Sequence, residues 1–427
     1  MRRFGLVVMA GFAAVPSHGA AAATVAVEPG GEALARAIAA AAPGDVLRLK
    51  PGVHLGPVVV DKPLILEGEP GAVVDGQGRG STIKVTAPDA TLRRLDVRNS
   101  GLDLEAHNSG IFLDKTATGA VVELNRVEDN LVGVYVWGAA NAAVRRNTII
   151  GRKDIRVNQR GNGVQVWNAP GARIIDNDIS FGRDGIFTTS SKRNVFSGNR
   201  FTDVRFAVHY MYTNDSEVSR NASYGNDVGY ALMYSQRLIV RDNLSEGDRH
   251  HGLMLNHTDA SAVERNLIRQ NGEKCVFIYN ANKNRVAENR FEGCQIGIHF
   301  TAGSERNRIT GNAFVRNQTQ VKYVGTRDLD WSEGGRGNYW SDNPAFDLNG
   351  DGLADAAYRP NDLVDRVVWS VPLAKLLLNS PAVQVVRWAQ SQFPAITPGG
   401  VVDSAPLMRP PELRAGWRKE ELGHGGS

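Results

Sequence analysis

Three methionines, Met211, Met233 and Met254, stand 22 and 21 residues apart, and His209 precedes the first of them by two positions. Thioether sulfur and imidazole nitrogen are donors that suit Cu(I). The spacing matters only if the chain folds so that residues this far apart become neighbours, as a solenoid does. A second candidate is oxygen-rich: Asp347, Asn349, Asp351 and Asp355 occupy positions 1, 3, 5 and 9 of a calcium-type loop, with Gly352 at the sharp turn. Position 12 is Tyr358, so Asp342 or Asp362 would have to complete a Ca2+ shell.

The elements that would position the first group are written in a repeat. Asparagine returns at Asn125, Asn147, Asn177, Asn199, Asn221, Asn243, Asn266, Asn289 and Asn312, in steps of 22 or 23 residues with one step of 30. A second marker runs in phase with it, at Gly110, Gly133, Gly163, Gly185, Ala207, Gly229, Gly252, Cys275 and Gly297, each opening a short apolar run. The runs alternate with period 2 and are too short for helices, so the fold class is all-β: a right-handed parallel β-helix of the pectin-lyase-like kind. Asparagine suits the bends because it tolerates left-handed backbone and bonds locally, and its amides can stack along the axis.

The markers set the phase of every turn. Residues one and three after the marker should face the core, and residues two and four should face outward. His209 and Met211, then Met233, then Met254 therefore fall on one outward stripe of three consecutive turns, spaced ~4.8 Å. The same stripe carries Tyr135, Trp137 and Trp167, a row suited to docking a partner or stacking on sugar rings. An alternative for the methionines is a hydrophobic docking surface, or a surface covered by a terminal segment. The outward positions lack the clustered carboxylates of a glycosidase and the Asp-plus-base set of a lyase.

Flanking segments complete the organisation. Residues 1–23 read as a signal peptide, with Arg2, Arg3, an apolar stretch and an Ala-x-Ala exit. Its removal takes the formal charge from +4 to +2, by loss of Arg2 and Arg3, which gives no reason to expect nucleic acid as a partner. Residues 24–100 form an N-terminal cap, with a helix near 32–42, and the first turns. The regular coil occupies 101–325, and its long step inserts a basic loop with Arg152 and Lys153, a second docking candidate. Residues 326–393 hold the calcium-type loop and an amphipathic segment that would cap the coil or rest against a membrane partner, and 394–427 form a flexible tail. Cys275 and Cys294 are the only cysteines; spacing alone leaves their pairing open.

An exported β-helix followed by GNYWSDNPAFDLNGDGLADAAY, and preceded by APGDVLRLKPGVHLGPVVVDKPLILEGE, resembles the NosD family of periplasmic maturation proteins of nitrous oxide reductase. The resemblance covers essentially the whole mature chain. The turns alone also fit carbohydrate-binding and sugar-hydrolase β-helices, so a polysaccharide lyase, epimerase or hydrolase is the alternative. The resemblance implies a periplasmic protein that is not an enzyme. Its implied partners are an ABC-type membrane subunit with its ATPase, a copper chaperone and the reductase, with membrane contact through the transporter. It implies transient Cu(I) handling and offers no catalytic residues to carry over. Whether the species handled is copper or a sulfur compound stays open.

Overall fold

The computed structural model describes residues 22–413 apart from 326, 362, 378–379 and 393–399. Strands of two to six residues wind into three long sheets, of thirteen, twelve and thirteen strands. Neighbours within a sheet come from successive turns and pair in parallel, as Val134 with Val164, then Ile186, then Val208. Crossovers between parallel strands are right-handed, which sets the hand of the coil. The signal-peptide expectation covers residues 1–23, of which 1–21 lie outside those described.

The core is a continuous column of side chains from all three sheets. Val134, Val166, Ile186, Val208 and Tyr210 are among the residues with no solvent exposure, so the inward positions read from the markers do face in. The asparagine ladder runs beside them. Asn243 is typical: its Nδ2 donates to Val218 O at 2.8 Å and to Asn266 Oδ1 at 2.9 Å. Its Oδ1 accepts from the amide N–H of Asn221 at 3.1 Å and from Asn221 Nδ2 at 3.0 Å.

One expectation about the bends is corrected. The left-handed residue is the one before each ladder asparagine, as at Leu124, Arg146, Arg220 and Asp242, with φ between 53° and 57°. The asparagine itself has ordinary backbone and serves as a bridge between turns. Its amide satisfies backbone groups that the bend removes from the strand ladders.

Both ends of the coil are closed. The helix Ala33–Ala40 buries Leu34 and Ile38 against the first turn. Lys62 Nζ donates to the carbonyls of Ile38, Ala39 and Ala41 at the helix C-terminus, where a cation is favourable. At the far end Trp340 stacks on Phe314 with centroids 4.2 Å apart. Asp403 returns from the C-terminal segment to accept the Trp340 indole N–H at 2.7 Å and the Asn338 amide at 2.7 Å.

The amphipathic segment follows the calcium-type loop. It forms Leu363–Ser370, Pro372–Leu377 and Pro381–Gln392, and it leaves Leu373 and Leu376 77% and 85% exposed. Just before it, Asn361 donates to Val321 O on the end strand of the twelve-stranded sheet, and Val364 of its first helix is buried. No described helix is long and apolar enough to cross a membrane. Cys275 and Cys294 are joined in a disulfide, with Cα atoms 5.7 Å apart.

Candidate functional site

The site lies on the outer face of the twelve-stranded sheet, on the strands Asp184–Thr189, Phe206–Met211, Val228–Met233 and His251–Asn256. Register places His209 beside Ala231 and Ala231 beside Met254, while Met211 lies beside Met233 and Met233 beside Asn256. The four candidate copper residues therefore occupy two columns over three consecutive turns. His299 stands in the His209 column four turns away, beyond Phe277.

A third outward column exists that the alternation rule misses. Each marker residue faces the core: a Cβ on Gly252 would lie 2.2 Å from Ile268 Cγ2. Leu253 after it faces in as well, so the strand bulges and the residue before the marker turns outward. That column holds Asp184, Phe206, Val228, His251 and Lys274. The sign available in the sequence was the smallness of the marker, Gly, Ala or Cys in every turn, which suits a crowded inward position.

The third column changes the environment of His209. Its Nδ1 lies 2.9 Å from Asp184 Oδ2 on the preceding turn. Arg205 holds the same carboxylate with two bonds, Nε to Oδ1 and an Nη to Oδ2, both 2.7 Å. Burial would raise the Asp184 carboxyl, but the bonds from His209 and Arg205 outweigh it and keep the group below its ordinary value. Phe187 and Phe206 each place a ring centroid 5.0 Å from the imidazole, so His209 is only 8% exposed rather than an open surface ligand. Its Nε2 is buried and has no hydrogen-bond partner.

Other histidines divide into engaged and open groups. His250 pairs with Glu273 at 3.1 Å, and His257 bonds Asn256 and stacks on Tyr234 with centroids 4.8 Å apart. His251 and His299 each bury an Nδ1 without a hydrogen-bond partner, and Glu273 Oε2 lies 3.9 Å from that of His251. Burial, then Lys322 and Lys274, pushes His299 down to about 4. Burial and Lys274 also lower His251. Both rings are neutral donors, but each has a lysine in the next turn, Lys322 beside His299 and Lys274 beside His251, which disfavours a cation.

The docking row is also corrected. Trp137 and Trp167 stack with centroids 5.7 Å apart and reach the surface. Tyr135 does not, being 2% exposed: His107 and Phe112 meet its ring edge-on at 5.1 and 5.2 Å. In the inserted loop Arg152 is held by Asp154 at 2.5 Å and Lys153 sits 4.3 Å over the Phe181 ring. Both cations are thus engaged within the loop's own surroundings.

In the oxygen-rich loop, Asp347 accepts the amides of Gly350, Asp351 and Gly352, and Asp355 accepts that of Leu348. Asp342 receives the Tyr358 hydroxyl at 2.8 Å and a Gln320 amide bond, and Asp362 lies outside the described residues.

Known proteins align with this chain along most of its length. A family model described as periplasmic copper-binding protein (NosD) matches residues 145–345, which contain His209 and the three methionines. A Stutzerimonas stutzeri protein described as a probable ABC transporter binding protein NosD is 42% identical over 388 residues, 88% of this chain and 89% of its own length. A Pseudomonas aeruginosa protein of the same description is 40% identical over 376 residues, 85% of this chain and 88% of its own. Among solved structures, the Dettilon tailspike protein superposes with a TM-score of 0.53 at 15% identity, over 69% of this chain and 64% of that one, a likeness of fold alone. Identity of this order, sustained over nearly the full length of both relatives, means that the chain belongs to the NosD family.

Proposed function

We propose that this protein is a periplasmic, non-enzymatic maturation factor that handles Cu(I) for the copper centres of nitrous oxide reductase, together with an ABC-type membrane subunit, its ATPase and a copper chaperone. The observation that carries the reading is the pairing of a buried, partnerless His209 Nε2 with three methionines on adjacent turns, inside the segment matched by a copper-binding family model. Soft neutral donors bind Cu(I) and discriminate against hard cations. The relatives' description as ABC transporter binding proteins supports the transporter as partner. The exposed apolar side chains of Pro372–Leu377 and Pro381–Gln392 offer it a surface, since large exposed apolar patches mark interaction sites.

The test is anaerobic titration with Cu(I) in competition with a chromophoric chelator, on the wild type and on the variant Met211→Ala/Met233→Ala/Met254→Ala. Tight binding by the wild type and a loss of at least tenfold in the variant are expected. Equal affinity in both would remove the patch from the reading. Ca2+ at Asp347, Asn349, Asp351 and Asp355 would be structural, and a rise in melting temperature on adding Ca2+ checks it.

One observation favours the second reading, a carbohydrate-acting or carbohydrate-binding protein: half-buried Trp137 stacks on exposed Trp167. Turnover or retention of uronic-acid polymers by the purified protein would support it over the first.

A further inference from the structure

Ala231 faces outward between His209 and Met254, yet it has no solvent exposure. A methyl group cannot bury itself on an outer sheet face. Its longer neighbours by register are His209 one turn before, Met254 one turn after, and Met233 two residues along the same strand. His209 and Met254 start from backbones two turns apart, ~9.6 Å. A residue as small as alanine between them leaves room for their side chains to meet across that span.

The proton on His209 follows from its partner. Arg205 donates a hydrogen bond to each oxygen of the Asp184 carboxyl group, so both oxygens act as acceptors. The His209 Nδ1–H must therefore donate to Asp184 Oδ2. In a neutral ring that leaves Nε2 with a free lone pair. Phe187 and Phe206 restrict rotation of the ring, so the lone pair has a fixed direction. A carboxylate behind an imidazole is the usual outer support of a metal-binding histidine.

We propose that Arg205 and Asp184 are positioning residues that hold His209 as its Nδ1–H tautomer, and that Nε2 with the thioethers of Met211, Met233 and Met254 forms one seat for a soft monovalent cation over Ala231. The inference rests on the reading of the protein as a Cu(I) handler and assigns the atoms that do it. Ala231 is the specificity-determining residue of the seat: it contributes no ligand, and any larger side chain would occupy the space where the ligands meet.

The test uses 15N-histidine NMR on the full mature chain, with Ag(I) as a redox-inert probe and His209→Ala to assign the resonance. The metal-free protein should show His209 as the Nδ1–H tautomer, and one equivalent of Ag(I) should shift its Nε2. Asp184→Asn should lose the fixed tautomer and weaken binding by about 10- to 100-fold. Arg205→Lys, which keeps the charge and loses the two-pronged grip, should fall between the two. Ala231→Leu should leave the tautomer intact and still abolish the Nε2 shift.

A wild type that binds Ag(I) and Cu(I) with no change at His209 Nε2 would overturn this assignment while sparing the copper-handling reading. A wild type that binds neither would overturn both. If Asp184→Asn unfolds the protein, Arg205→Lys and Ala231→Leu decide: unchanged tautomer and affinity in the first, or an unchanged Nε2 shift in the second, would sink the proposal.

Discussion

The asparagine ladder and the His209 columns are two arrays of side chains repeated along the same axis, one inside the coil and one outside. In the ladder every amide is used: Asn221, Asn243 and Asn266 each donate to the next asparagine and to a carbonyl of the preceding turn. On the outer face the repeat is broken. From Phe187 to His299 the column through His209 holds phenylalanine, histidine, alanine, methionine, phenylalanine and again histidine, and His209 Nε2, His251 Nδ1 and His299 Nδ1 are buried without a hydrogen-bond partner. An array that is uniform and saturated holds a structure together, whereas one that varies and leaves donors unsatisfied is available for a ligand.

The largest effect should come from breaking the saturated array. Asn243→Ala removes four hydrogen bonds of a side chain with no exposure and strands Val218 O and the Asn221 amide. Unmade bonds to buried backbone cost ~1–3 kcal/mol each, so a loss of about 4 kcal/mol is expected in urea denaturation. If unfolding spreads from that turn without a global transition, the ladder acts locally and the comparison weakens. His209→Ala, by contrast, should lower stability by far less, since Arg205 continues to hold Asp184.

A smaller effect tests a flaw within the inner array. Asp248 takes an asparagine-like place between Asn226 and Asn271, accepting from the Asn226 amide and donating its own amide N–H to Asn271. Burial raises it to about 7, against hydrogen bonds from Ser245, the Asn226 amide and Ser223 that lower it. The folded state therefore keeps a proton that the unfolded chain releases near 3.8. The sign is fixed: stability is full below the unfolded value, falls as pH rises between about 4 and 7, and is flat above. Asp248→Asn should remove this slope and stabilise the protein at pH 8 by on the order of 3 kcal/mol, with little gain at pH 4. Denaturation curves at the two pH values check it, and an unchanged slope would count against a buried proton at Asp248.

The contrast between the arrays explains what could be read before the fold was seen. The ladder and the markers recur at fixed spacing, so the coil, its inward residues and the common face of the methionines were legible. What escaped depended on departures from the repeat. The bulge at each marker adds a third outward column, and without it Asp184 and His209, 25 residues apart, are not visibly neighbours. Arg205 was hidden for the same reason. The burial of Tyr135 comes from His107, in an irregular turn that no periodicity announces. The amphipathic segment has a helix-like pattern whichever surface it meets. The closure of the last turn by Trp331, Trp340 and Asp403 lies past the repeat, where no periodicity announces it.

The smallest expected change in stability gives the sharpest separation between a ligand array and a hydrophobic cover. Leucine matches methionine closely in volume and apolarity, and such exchanges cost less than ~1.5 kcal/mol even in packed cores. Met211, Met233 and Met254 are half-buried on the outer face, so Met211→Leu/Met233→Leu/Met254→Leu should unfold within about 1 kcal/mol of the wild type. If the stripe is a hydrophobic surface, Leu preserves it, and Cu(I) affinity and transporter association should both persist. If the sulfur atoms are the point, affinity for Cu(I) should fall at least tenfold while the surface stays apolar and the fold intact. The exchange alters electrons rather than shape: methionine differs from leucine at these sites chiefly in a polarisable lone pair, and only a soft cation is sensitive to that difference.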